Sequence, residues 1–216
     1  MTRNELYDML QLHTIRRWQI VEVSRDQSVA EHSFRVWALT MNLYDTLFTN
    51  GSLERESLSQ LALIHDLPEI VTGDIPSTMK DTLNKIGPEV SRRLEEIVTQ
   101  EGFPTVYRAI KGMVGTPSWY LLKIADNVEA ILWMQQYGIY KAGARGCSED
   151  VVNGLMRKIE DILHLIKMKY PSTADWSLAR DWVETVIGGL LPTAVRWPDV
   201  PPAQPEGPSQ EGKLRG

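Results

Sequence analysis

SVAEHSFRVWALTMNL, residues 28–43, decides the fold class. Ser28 stands three residues before Glu31, a capping box in which each side chain satisfies the other residue's free amide, and it predicts a helix start. His32, Val36, Leu39 and Leu43 follow at spacings of four, three and four. That is the rhythm of one helical stripe, so His32 faces the interior in apolar company. The same rhythm continues in both directions along the chain, and the sustained apolar/polar alternation of a half-buried strand is missing. The chain reads as all-α, a helical bundle.

Upstream, a short helix is expected over 4–13 with Leu6, Met9, Leu10 and His13 on one stripe. IRRWQIVEVSRDQ, 15–27, is irregular and reads as an extended arm across the core. Downstream, a helix runs from about 54 through Leu58, Leu61, Ala62 and His65 toward Val71. Pro68 lacks a backbone donor and clashes with the carbonyl four residues back, which predicts a kink or stop just after His65. Gly87-Pro88 opens a helix carrying Val90, Leu94, Ile97 and Val98, closed by Gly102, and a shorter one covers 106–113. Thr116-Pro117 supplies a cap and a first-turn proline for a long helix with Leu121, Ile124, Ala125, Val128, Ile131 and Leu132. Ser148 caps a helix with Val152, Leu155, Ile159, Ile162 and Ile166 that stops before Pro171. The last helix carries Trp176, Trp182 and Val186 and ends at Gly188-Gly189.

The chain has 216 residues, 43% apolar and 24% charged, which suits one soluble domain with a sizeable interior. We place that domain at 1–197. PDVPPAQPEGPSQEGKLRG, 198–216, has too few apolar side chains to order itself and reads as a Pro/Gly-rich tail. With 23 basic and 28 acidic residues the net charge is −5, so no global cationic field holds a nucleic-acid polymer or an anionic bilayer. No apolar run is long enough to span a membrane and no signal peptide opens the chain, so a cytoplasmic protein is expected. Cys147 is the single cysteine, which excludes an internal disulfide and a zinc finger. Any metal must rely on histidine and carboxylate.

Of four histidines, His32 and His65 sit on inner helix faces, and His65 is followed by Asp66. A histidine on an apolar face is ordinarily a core residue satisfied by a hydrogen bond. The segment HDLPEIVTGD, 65–74, adds Glu69, read as lying on the same helical face four residues on, and Asp74 after a glycine. In LLKIADNVEAILW, Asp126 shares a stripe with Leu122, Ala130 and Trp133, and a carboxylate is costly to bury there unless it is paired or holds a metal. Two histidines and two aspartates from three helices can thus meet at one ion. Such a donor set suits Mn²⁺, Fe²⁺, Co²⁺ or Zn²⁺, with positions left open for water and substrate.

His32, His65-Asp66 and Asp126 resemble the metal signature of the HD-domain phosphohydrolases. RW at 17–18, SVAEHS at 28–33, HDLPEIVTGDIP at 65–76 and LLKIADNVEA at 121–130 are similar to the 5′-deoxynucleotidase subgroup and its phage-type dATP triphosphohydrolase relatives. The resemblance covers roughly the first 140 residues and implies that His32, His65, Asp66 and Asp126 hold one divalent transition metal, with Mg²⁺ on the substrate phosphates. It further implies that Glu69 positions or deprotonates a water and that Asp74 assists proton transfer to the leaving oxygen. Arg17 and Lys80 would bind phosphate, Trp18 would lie against the sugar and exclude a 2′-hydroxyl, and Ile20 and Pro76 would form a slot for the base. The partner implied is a small-molecule deoxynucleotide, and the assembly a homo-oligomer, either a dimer or a larger ring.

Two substrates fit. A triphosphate would release deoxynucleoside and triphosphate, and a monophosphate would release deoxynucleoside and phosphate. Isoleucine two residues after the tryptophan tilts the resemblance toward the dATP enzymes. A non-catalytic nucleotide sensor on the same fold is disfavoured because Glu69 and Asp74 accompany the ligand set. Trp37, Trp133 and Trp182 read as core, Arg92-Arg93 with Glu95-Glu96 as solvated surface, and the glycine-rich KAGARGC, 141–147, as lacking a phosphate-loop pattern.

Overall fold

The structure, a computed structural model, describes residues 3–48, 53–87, 90–139 and 148–189. The Pro88 helix opening, the KAGARGC segment with Cys147 and the tail at 198–216 lie outside the described residues.

Helices α1 (Arg3–Gln11), α2 (Val29–Leu47), α3 (Leu53–Ile64), α4 (Glu69–Thr72) and α5 (Ser77–Ile86) form the first half. Helices α6 (Val90–Gly102), α7 (Pro104–Met113), α8 (Pro117–Tyr137), α9 (Ser148–Lys169) and α10 (Trp176–Gly189) form the second. Among the described residues there is no β-strand, only two isolated antiparallel bridges, Arg16 with Ser28 and Val23 with Gly138. They dock the arm onto the start of α2 and the end of α8.

Helix α8 is the axis of the bundle. Leu121, Leu122, Ile124, Ala125, Val128, Ile131, Trp133 and Met134 are all fully buried, which is what a helix apolar around most of its circumference requires. Each such side chain contributes roughly 1.5–3 kcal/mol relative to exposure. Helices α2, α3, α9 and α10 pack on it. Thr116 Oγ1 accepts from Trp119 N–H at 3.3 Å, so the predicted cap is present. At the other end Gly138 is required sterically, since a Cβ there would meet the Met134 carbonyl at 2.4 Å and Ser148 Oγ at 2.5 Å.

Helix α2 starts where the capping box placed it, with Ser28 Oγ accepting from Glu31 N–H at 3.1 Å. The reciprocal half is replaced, because the Glu31 carboxylate pairs with Arg25 at 3.0 Å. Its inner face is His32, Val36, Leu43 and Tyr44, turned toward α8 and α3. Helix α3 stops at Ile64, before the residue that Pro68 disfavours, and a turn carries the chain into α4.

Several expectations are corrected. In α1 the buried residue is Glu5, while Leu6 and Leu10 are 51% and 64% exposed, so the inner face lies a quarter-turn from the predicted stripe. The Glu5 carboxylate reaches across to accept from Thr105 N–H at 2.8 Å at the start of α7, and that long-range cap decides the rotation of α1. Residues 77–86, for which the sequence predicts no helix, form α5. On α6, Val90, Leu94 and Ile97 are exposed and Thr99 is buried, so that helix is also turned. Ser148 opens α9, but its buried hydroxyl donates to the Ile139 carbonyl at 3.2 Å.

Candidate metal centre and active site

The end of α3, the inner face of α2 and the middle of α8 converge on one point. His32 Nε2 lies 3.3 Å from Asp66 Oδ2 and 3.3 Å from Asp126 Oδ1, and His65 Nε2 lies 3.3 Å from Asp66 Oδ1. Donor atoms of His32, His65 and Asp66 all fall within 4.8 Å of one another. Both Nε2 atoms are buried and neither has a hydrogen-bond partner. The opposite ring nitrogens are engaged: His65 Nδ1 donates to the Ala62 carbonyl at 2.9 Å, and His32 Nδ1 donates to Glu129 Oε2 at 2.7 Å. With the proton on Nδ1, each Nε2 presents a lone pair to the shared space, the tautomer a metal ligand needs. Two orphaned imidazole nitrogens facing two carboxylates fit a divalent transition metal.

Burial and the neighbouring charges shift each group of the cluster. Burial alone would raise the Asp66 carboxyl, but His65 and His32 beside it hold it below its ordinary value. Asp126 is likewise held well down against burial by Lys123, His32 and His65. Burial lowers His65. His32 is raised, because Glu129, Asp126 and Asp66 outweigh burial and the neighbouring Arg17.

Glu69 opens α4 beyond the break, so it is no continuation of the α3 face. The turn nevertheless brings it beside Asp66 and Asp74. Burial, then those two carboxylates, push it well above its ordinary value, and Glu69 Oε2 is buried without a partner. Gly73 follows at φ 67°, a left-handed conformation open to glycine, and turns Asp74 back toward Arg17, whose Nε lies 4.0 Å from Asp74 Oδ2. Arg17 Nε is also buried with no hydrogen-bond partner.

A cleft of about 370 Å³ opens from His65, Asp66 and Glu69. Lys80, Lys123, Lys111 and Arg92 line it, with Ile75, Ile110, Val114 and Trp119 as its apolar side. Arg92 is 57% exposed, a solvated charge at the cleft's edge, and it pairs with Glu96 at 3.1 Å. Lys111 meets the same carboxylate at 2.5 Å.

A family model described as 5′-deoxynucleotidase YfbR-like matches residues 6–137. The chain belongs to this family. The dATP triphosphohydrolase of Salmonella phage PMBT28 is 36% identical over 138 residues, 61% of this chain and 66% of that protein. The dATP triphosphohydrolase of Cyanophage S-2L is 30% identical over 162 residues, 75% of this chain and 78% of its own length. Among solved structures, the Cyanophage S-2L HD phosphohydrolase DatZ, bound to dA and one catalytic Zn²⁺, superposes with a TM-score of 0.67 at 28% identity. That match covers 86% of this chain and 97% of DatZ, so the likeness extends well past the first 140 residues in which the motifs lie.

In this YfbR-like HD phosphohydrolase, the structure brings together His32, His65, Asp66, Asp126, Glu69, Asp74 and Arg17, and lines the adjoining cleft with Lys80. Trp18, Ile20 and Pro76 are not among the cleft walls. Trp18 is half-buried beside Arg17, whose guanidinium carbon lies 5.1 Å from the ring centre, and Ile20 is 60% exposed. The sequence reading passed over Glu129, Gln27, Lys111 and Lys123. Glu129 was recoverable: it stands three residues after Asp126 on a stripe otherwise apolar, where a carboxylate demands partners. It has four, namely His32, Gln27, Arg35 and Arg17.

Proposed function

We propose that this protein is a metal-dependent phosphohydrolase of 2′-deoxyribonucleotides that acts on dATP and releases deoxyadenosine and triphosphate. The observation that carries the reading is the pair of orphaned Nε2 atoms of His32 and His65 facing Asp66 and Asp126 at the mouth of a cleft lined by Lys80, Lys123, Lys111 and Arg92. A monophosphate would need fewer cations. A triphosphate carries charge along the cleft, and those side chains match it.

His32, His65, Asp66 and Asp126 would hold the ion, for which Zn²⁺, Co²⁺, Mn²⁺ and Fe²⁺ all suit the donor set. Such an ion lowers the pKa of a bound water from 15.7 toward about 7 and polarises the phosphoryl oxygen it touches. Glu69, with Oε2 lacking any protein partner, orients the attacking water and accepts its proton. Water oxygen bonds to the α-phosphorus, the bond from phosphorus to the 5′ oxygen breaks, and Asp74 assists delivery of a proton to that oxygen. Arg17 Nε bonds the phosphate nearest Asp74. Trp18 lies against the sugar, and Ile20 and Pro76, outside the cleft walls, take the base. Mg²⁺ accompanies the substrate phosphates.

The second reading, a 5′-deoxynucleotidase acting on monophosphates, draws on the family description. Purified protein loaded with Zn²⁺, Co²⁺ or Mn²⁺ and given dNMPs, dNTPs and NTPs distinguishes the two. Stoichiometric triphosphate from dATP is the expected product. Phosphate from dAMP with dATP untouched would transfer the assignment to the second reading, and no turnover with any metal would leave a nucleotide sensor.

We place the reaction in the cytoplasm, where deoxynucleotide pools lie, and in a homo-oligomer. The exposed apolar side chains of Ile86, Val90, Leu94 and Ile97 on α5 and α6 support the assembly. Among the described residues no helix is long and apolar enough to cross a membrane.

A further inference from the structure

Trp18 has φ 65° and is the one non-glycine residue with positive φ among those described. A bulky aromatic residue in the left-handed region is a genuine outlier, and it persists only where its surroundings over-determine it. Those surroundings converge on Gln27, which is fully buried. The Trp18 indole Nε1–H donates to Gln27 Oε1 at 2.7 Å. Gln27 Nε2–H donates in turn to Glu129 Oε1 at 2.8 Å. An indole nitrogen can only donate and an ionised carboxylate can only accept, so the Gln27 amide is locked in one orientation. The Gln27 backbone carbonyl also accepts from Arg17 N–H at 2.9 Å. One buried residue thus holds the main chain just before Trp18 and the ring itself, and anchors both to the carboxylate that orients His32.

Resting on the reading that Trp18 excludes a 2′-hydroxyl, we propose that Gln27 is the positioning residue for sugar discrimination: it fixes Trp18 through the indole N–H and registers it against the metal centre through Glu129. Gln27 touches no substrate. Its effect is on where the ring stands, and hence on the ratio of deoxyribo- to ribonucleotide turnover rather than on the chemical step.

The test is Gln27→Met, which keeps the side-chain volume and removes both hydrogen bonds. The expected result is a fall of tenfold or more in the ratio of kcat/KM for dATP over ATP, with kcat for dATP and bound metal per chain nearly unchanged. The ¹⁵N–¹H signal of the Trp18 indole should shift upfield and exchange faster with solvent. Gln27→Glu keeps an acceptor for the indole and, with its buried carboxyl protonated, a donor to Glu129 Oε1, so it should retain a ratio within about threefold of wild type, and it serves where Gln27→Met does not fold. A wild-type ratio in Gln27→Met despite a displaced indole signal would overturn the proposal and leave Trp18 as the discriminator. So would a ratio lost in Gln27→Glu with the indole signal in place. Wild-type protein that turns over ATP as fast as dATP would remove the role of Trp18 itself, and this inference with it.

Discussion

Glu129 Oε2 stands 2.7 Å from His32 Nδ1, and both side chains are fully buried. Burial would raise the Glu129 carboxyl, but His32, Arg17 and Arg35 hold it below its ordinary value, so it meets the imidazole as an anion. A carboxylate on the far nitrogen fixes the ring tautomer and raises the basicity of Nε2. Such partners typically govern 10–100-fold in metal affinity. Glu129→Gln is expected to weaken Zn²⁺ binding by about that factor while leaving His32, His65, Asp66 and Asp126 intact. Competition with a chelator of known affinity measures it, and unchanged affinity would show that the contact is structural only.

Metal should stabilise the fold. At about 100 times its dissociation constant a ligand that binds only the native state contributes about 2.7 kcal/mol. Thermal melting of chelated protein should therefore shift upward on adding Zn²⁺, and His65→Ala should lose the shift. A metal-induced shift of wild-type size in His65→Ala would place the ion elsewhere.

Glu69 carries two opposite expectations. As the group that takes the water proton, its replacement by glutamine should lower kcat by about 10²–10⁴. In metal-free protein the effect on stability runs the other way. Glu69 is raised above its ordinary 4.5 by burial, Asp66 and Asp74, so the native state keeps a proton that the unfolded state has released. Stability is then lost as pH rises from 4.5 through the raised native value. Chelated Glu69→Gln should be the more stable protein at about pH 8, with the difference closing toward about pH 4. Urea denaturation at both pH values checks the sign.

Lys111 tests the substrate. It lines the cleft away from the metal cluster and, among the salt bridges described, is paired only with Glu96, a half-buried carboxylate of the same cleft. Lys111→Gln should raise KM for dATP several-fold, since it removes a cation facing the path of the substrate phosphates. Equal KM values for variant and wild type would remove Lys111 from the phosphate path.

Gly138→Ala should destabilise by about 1–3 kcal/mol, the usual cost of overpacking. The new methyl would lie 2.4 Å from the Met134 carbonyl, which is backbone and cannot step aside. A shift of the urea midpoint with unchanged slope is the expected signature.

Much of the fold is legible residue by residue. Ser28, Thr116-Pro117, Pro68 and Gly188-Gly189 mark helix ends through local backbone chemistry, and the structure starts or stops its helices there. The misreadings concern rotation and partnership. Leu6 and Leu10 look like an inner stripe, yet Glu5 turns inward because it has the Thr105 amide to satisfy, a hundred residues away. The helix at 77–86 is not legible, because it follows Pro76 and carries few apolar residues to mark a stripe.

Local chemistry along the chain determined where the helices begin and end, and which imidazoles and carboxylates stand on faces that must be buried. Only the tertiary structure decided that Glu129 would serve His32 from 97 positions away and Gln27 from 102. Helical period and capping act over three or four neighbours, so they are written in the order of residues. The pairing of buried charges depends on which helices pack together and at what rotation, which local sequence chemistry does not encode.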